Sequence, residues 1–117
     1  MTQHLETGKK AEDIAASFLL EKGYQILHRN YRYGRAEIDL IVRKGIFLVF
    51  VEVKSLTNTK FGMPEIGVNK HKVAMITKAA DFYVYKNNWH QQIRFDIVSV
   101  VFKSNTFEVT HFEDAFY

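Results

Sequence analysis

The sequence predicts an α/β domain, a mixed sheet flanked by two helices in the order α-β-β-β-α-β-β. Three observations predict it. Two stretches, 7–22 and 69–86, repeat apolar residues at helical spacing. Five short runs are rich in β-branched and aromatic residues and are separated by Gly, Asn and Ser turn signals. The two central runs, 36–43 and 46–54, are apolar at both parities, the pattern of strands covered on both faces, so helices must lie on both sides of them.

In chain order, Thr7 or Gly8 to Lys22 places Ala11, Ile14, Ala15, Phe18 and Leu19 on one stripe of a helix, and Gly23 supplies its stop. Glu12 precedes Ala15 by three residues and Leu19 by seven, at the rim of that stripe. Spacing favours an exposed glutamate paired with a lysine; helical geometry also lets it lean toward the sheet. Tyr24–Tyr33 reads as a strand, and Gly34-Arg35 turns it into a central hairpin, completing a three-stranded meander. Arg29, Arg32 and Arg35 decorate it, either solvating a sheet edge or contacting phosphate.

Lys44-Gly45 is the turn signal of that hairpin. A two-residue loop there sets Asp39 opposite Phe50 and Glu37 opposite Glu52, whereas a four-residue loop sets Asp39 opposite Glu52. In either register, strict alternation places Glu37, Asp39, Glu52 and Lys54 on one face. Carboxylates converging in an apolar sheet repel one another and need compensation. A hard divalent ion supplies it, and Lys54 alone balances one charge.

Residues 55–67, with the lone Pro64, read as a loop. Asn69 is suited to cap the second helix, whose buried stripe is Val73, Ile76, Ala79, Ala80 and Tyr83. Lys70 and Lys72 stand at its N-terminus, where free backbone donors also favour anions such as phosphate. Asn87-Asn88 ends it, and Ile93–Phe102 and Thr106–Phe112 form a second hairpin. Asp96 alternates with apolar neighbours there and reads as a buried hydrogen-bonding group rather than a ligand.

Composition narrows the chemistry. The 117 residues, 47% hydrophobic, suit one domain with a real core. No apolar run is long enough to span a bilayer, and the first residues lack the apolar centre of a signal peptide, so a cytoplasmic protein is expected. With no cysteine, carboxylates and histidines are the available metal ligands; the five histidines are scattered without helical ligand spacing. A net charge of +3 suits a polyanionic partner, the more so in a chain that also gathers acids at one place.

Asp39, twelve intervening residues, then Glu52-Val53-Lys54 resembles the D-x(n)-E-x-K signature of the PD-(D/E)xK nuclease superfamily, the restriction-endonuclease-like fold. The resemblance implies Mg²⁺ or Mn²⁺ held by Asp39, Glu52 and the Val53 backbone carbonyl, with Lys54 beside the attacking water. Glu12 resembles the additional helix acid of archaeal Holliday-junction resolvases, a further catalytic or metal-binding group, and Glu37 stands behind the ligands as a supporting neighbour. More closely, residues 8–102 resemble the small bacterial YraN-like family of predicted endonucleases. The matching segments are Gly8–Ala15, Ala36–Ile41, Val49–Lys54, Phe61–Pro64 and Arg94–Asp96, with Ala11 and Ala36 where the family pattern has glycine.

The resemblance implies a metal-dependent endonuclease cutting DNA, branched or structured forms included, with Arg32, Arg35, Lys70 and Lys72 as candidate nucleic-acid contacts. Resolvase-like enzymes pair two sites, so a homodimer is among the expected states. The alternatives are a nucleic-acid-binding module that keeps the fold without turnover, and an interaction protein whose acids are balanced internally by Lys54 and an arginine.

Overall fold

The structure, a computed structural model, describes residues 3–57 and 68–116, with first-helix side chains from Thr7 onward. Its elements are α1 (Gln3–Glu21), β1 (Gln25–Tyr33), β2 (Ala36–Lys44), β3 (Phe47–Thr57), α2 (Lys70–Lys86), β4 (Gln92–Phe102) and β5 (Phe107–Phe112), in the expected order. The strands make one sheet of spatial order β1-β2-β3-β4-β5. All neighbours are antiparallel except β3 and β4, which are parallel because the chain crosses over through α2 between them. The matched segment Phe61–Pro64 lies outside the described residues. Among the described residues no helix is long and apolar enough to cross a membrane.

The two helices cover opposite faces, which is why β2 and β3 are apolar at both parities. Ala15, Ala16 and Leu19 of α1 pack with Leu40, Val42, Val49, Val51 and Val98. On the other face Ile76, Ala79, Ala80 and Tyr83 of α2 pack with Ile38, Ile41, Leu48, Phe50 and Phe95. Alanines at the contact let both helices lie close to the sheet, so Ala11, Ala15, Ala79 and Ala80 are wholly buried.

Helix ends follow local chemistry. Gly23, at φ 94°, donates its N–H to the Leu20 carbonyl, and Tyr24 donates to Leu19, a Schellman stop. Asn69 accepts the Lys72 N–H at 2.8 Å and caps α2. α1 begins at Gln3, before the expected Thr7 or Gly8, because the helical backbone continues through Gly8 without interruption. β3 runs on to Thr57, three residues past Lys54, since its parallel ladder with β4 extends to the Thr57–Phe102 pair.

Two departures shape the region of interest. First, the central hairpin turns at Gly45-Ile46 rather than Lys44-Gly45: Lys44 pairs with Phe47, Gly45 takes φ 58°, and the pairing Leu40–Val51 puts Asp39 next in line with Glu52. The loop has two residues, but the register is the one expected of a four-residue loop. Second, strict alternation fails at Asp39. Ile38 faces α2 and Leu40 faces α1, although they are two residues apart. Across from Asp39, between the pairs Arg29–Leu40 and Tyr31–Ile38, Asn30 takes φ 54°. Both strands thus twist through the same point, and asparagine tolerates the left-handed backbone this requires. Asn30→Val is expected to lose about 1–2 kcal/mol in urea denaturation, and Asn30→Gly little; equal stability of Val and Asn would show that the backbone is not strained there.

The β2–β3 ladder ends at Leu40–Val51. Beyond it β2 stays paired with β1 as far as Ala36, and β3 with β4 as far as Thr57. The sheet therefore forks, and Asp39 and Glu52 stand where it opens.

Candidate functional site

At the fork the Val53 N–H, which has left the β2 ladder, donates to Asp39 Oδ2 at 2.7 Å. Asp39 is thereby tied to the backbone of β3 beside Glu52. Burial pushes the Asp39 carboxyl up to about 8; the Glu52 charge and a hydrogen bond with Glu52 push the same way, against the Val53 N–H. Glu52 itself is 3% exposed and is ion-paired by Lys72, which reaches down from the first turn of α2 and is 44% exposed. The two acids, Lys72, Glu37, Arg35 and His71 line a depression of about 260 Å³ between the fork and the N-terminal half of α2.

The site residues expected from the sequence are distributed as follows. Asp39 and Glu52 come together, with Val53 bonded to Asp39. Lys54 follows Glu52 at the same parity on β3, half-buried, and does not line the depression. Glu12 sits at the rim of α1, near enough to Asp39 to add to its raised proton affinity, but its oxygen lies 4.0 Å from Arg29, which is held chiefly by Asp13 at 2.6 Å. Its partner is an arginine rather than a lysine. Among the described residues, no three acidic or histidine side chains are gathered as a ligand set. Glu37 lines the depression and is paired across the strands with Arg32 at 3.1 Å; Arg32 is itself 72% exposed and does not line the depression. Arg35 lines the depression, and Lys70 is exposed at the start of α2 outside it.

Lys72 has a partner that the sequence did not suggest. Its place at a helix N-terminus suggested a phosphate contact, whereas in the structure its ammonium neutralises Glu52. His71 is a lining residue that the scattered histidine pattern did not single out. The only local signal for either was position: both lie in the first turn of the helix that packs over β2.

The raised Asp39 proton affinity has a definite sign in stability. An unfolded aspartate loses its proton near 3.8, whereas the folded one keeps it to about 8. Between those values the folded state binds more protons, so Asp39 lowers stability progressively as pH rises through the window, and fully above it. Asp39→Asn, which keeps an acceptor for Val53, is expected to match wild type near pH 4 and exceed its Tm by ~5 °C or more at pH 9, on the scale of about 1 kcal/mol. A constant difference across the range would assign the effect to packing instead of ionisation.

On the opposite face of the sheet, Asp96 is fully buried beneath the C-terminal end of α1. It accepts from Arg94 Nε and Nη2 at 2.9 and 2.8 Å, from His111 Nε2 at 2.7 Å and from the Asp114 N–H at 3.0 Å. Arg94 also donates to the Tyr24 hydroxyl, and His111 Nδ1 accepts from Lys22. Burial alone would raise the Asp96 carboxyl, but the hydrogen bonds from His111, Arg94 and Asp114 outweigh it and hold it below the usual range. As expected from its sequence position, Asp96 is a structural hydrogen-bonding group, and the Arg94-Phe95-Asp96 segment joins β4, β5 and α1.

A forked, five-stranded mixed sheet between two helices, with paired carboxylates at the fork, defines the class of domain. Within that class the chain belongs to the family described as Uncharacterised protein family UPF0102, the YraN-like proteins, which it matches over residues 11–100. It is similar to UPF0102 proteins of Flavobacterium psychrophilum, at 43% identity over 100% of this chain and 98% of the relative. For that of Phocaeicola vulgatus the identity is 39%, over 100% and 97%. For that of Syntrophus aciditrophicus it is 43%, over 99% and 92%.

Proposed function

We propose that this protein is a cytoplasmic, divalent-metal-dependent endonuclease that hydrolyses phosphodiester bonds in DNA, branched or structured forms included. The observation that carries the reading is the pair Asp39 and Glu52, set side by side at a strand fork with Lys54 following on the same strand. The order of acids and lysine is that of the restriction-endonuclease-like resemblance, on the same order of elements.

The donor set fits the ion. Asp39 and Glu52 offer hard oxygens, and a cation between them would offset both the burial and the neighbouring Glu52 charge that together push Asp39 up to about 8. Asp39, Glu52 and the Val53 carbonyl would hold Mg²⁺ or Mn²⁺, with Glu12 as a further acid at the rim. Such an ion supplies charge neutralisation on phosphate and a hydroxide near neutral pH.

The chain's own residues do the rest. Val53 fixes the Asp39 carboxylate through its N–H. Lys54 carries the proton traffic of the attacking water, donating to it or accepting from it. Arg35 brings positive charge to the same depression, where a phosphate would be neutralised as charge develops in the transition state.

One observation favours a second reading. Lys72 already neutralises Glu52, as it would in a nucleic-acid-binding module that keeps the fold without turnover. A labelled panel of linear duplex, single strand, flap, four-way junction and RNA, incubated with Mg²⁺ or Mn²⁺, separates the two. Cutting of a DNA form by wild type and not by Glu52→Gln supports the nuclease; binding without cutting across the panel supports the module.

A further inference from the structure

On α2, His71, Met75, Lys78, Phe82 and Tyr85 follow spacings of four, three, four and three, so they lie along one stripe of the helix. The stripe beside it, Ile76, Ala79, Ala80 and Tyr83, is the one buried on the sheet, and Met75 at the margin packs partly against the same core. At its N-terminal end the outer stripe borders the acidic depression through His71 and Met75. At its C-terminal end Lys78, Phe82 and Tyr85, with Tyr33 of β1, line a second depression of about 520 Å³. Tyr33 joins the two: its strand partner Ala36, across the Gly34-Arg35 turn, lines the first depression.

This second depression is aromatic and exposed. Tyr85 is 84% exposed and Tyr33 41%, values that fit neither residue for the core. Tyr33 stacks on Phe82 with ring centroids 4.5 Å apart and planes 25° from parallel, which fixes its ring as a flat wall. Lys86 Nζ stands 5.8 Å from the Phe82 centroid. Lys78 and one acid, Asp81, line the same space. Held aromatic rings interleaved with lysines are what unpaired nucleobases and their phosphates require: every base has a π face to stack, and the ammonium groups follow the backbone.

We infer that Tyr33, Phe82 and Tyr85, with Lys78 and Lys86, form a stacking platform for unpaired bases of a nucleic-acid strand whose phosphodiester backbone runs along α2 to the Asp39–Glu52 fork. This rests on the nucleic-acid reading proposed above and sharpens it: the substrate carries a single-stranded segment beside the bond that is cut.

The test reads binding apart from cleavage. Fluorescence anisotropy of the full chain in EDTA, and again with Ca²⁺, compares a mixed-sequence single-stranded oligodeoxynucleotide with its duplex. Tyr85→Ala is expected to weaken single-strand binding about tenfold and duplex binding far less, Tyr33→Ala to do likewise, and Tyr85→Phe to bind as wild type. Single-strand affinity unchanged in both alanine variants overturns the platform, as does failure of wild type to bind a strand in either condition. Sedimentation identifies the other occupant: a wild-type dimer that Tyr85→Ala converts to monomer with strand affinity intact assigns the surface to a second copy and overturns the inference. Tyr85-dependent binding with no cleavage in Mg²⁺ keeps the platform and removes the nuclease; cleavage with unaltered binding in the alanine variants does the reverse.

Discussion

Glu52→Gln is expected to reduce DNA cleavage by about 10²–10³-fold or more, with the fold intact. Glutamine has the same shape and keeps a carbonyl oxygen to accept from Lys72, so the buried position stays satisfied; it loses the negative charge that a divalent ion requires. Circular dichroism and thermal melting would establish folding before turnover is compared. Lys54→Ala is expected to lose about 10²–10⁴-fold, the range of a proton-transfer group, without weakening the binding of Mg²⁺ by calorimetry. That split separates a ligand from a water-side residue. Cutting by Glu52→Gln at the wild-type rate would remove the assignment of the fork as the active site.

Asp96→Ala is expected to be the most destabilising single change outside the apolar core, by about 3–5 kcal/mol, because removing one partner of a buried ion pair leaves the other uncompensated. Arg94 is 14% exposed and His111 3%, so neither recovers water easily when the carboxylate is gone. Since Asp96 is held below the usual carboxylate range, its contribution is fully present above that range and is lost as pH falls through its lowered value. Wild type and variant should therefore converge in urea titrations at strongly acid pH and separate at neutral pH. A difference of less than about 1 kcal/mol at pH 7, against the expected loss of about 3–5, would mean that Arg94 and His111 find other acceptors.

Much of this architecture could be read from the residues. Both helices, all five strands and the covered faces of β2 and β3 follow from apolar spacing, and Gly23 and Asn69 mark helix ends by their own chemistry. The break in alternation at Asp39 was hidden for a physical reason. With both faces of β2 buried, Ile38 and Leu40 satisfy either face equally, so the pattern carries no trace of the switch. Asn30 was the available sign, a left-handed-tolerant residue within an otherwise strand-like run. The partner of Glu52 was hidden for another reason. Lys72 lies far along the chain, on the helix of the crossover, and only docking of α2 brings its ammonium to the fork. Local pattern reports what a helix buries, not which acid its first turn will meet.

The fork has a mechanical consequence. Asp39 rides on a strand fastened outward to β1, and Glu52 on one fastened outward to β4, while nothing in the ladder ties the two strands together past Leu40 and Val51. Widening the gap between the acids breaks the Val53–Asp39 hydrogen bond and the one between Asp39 and Glu52, but no ladder pair. β2 and β3 can part at this notch without losing a ladder pair, so the distance between the two carboxylates is a dimension that a small load alters readily.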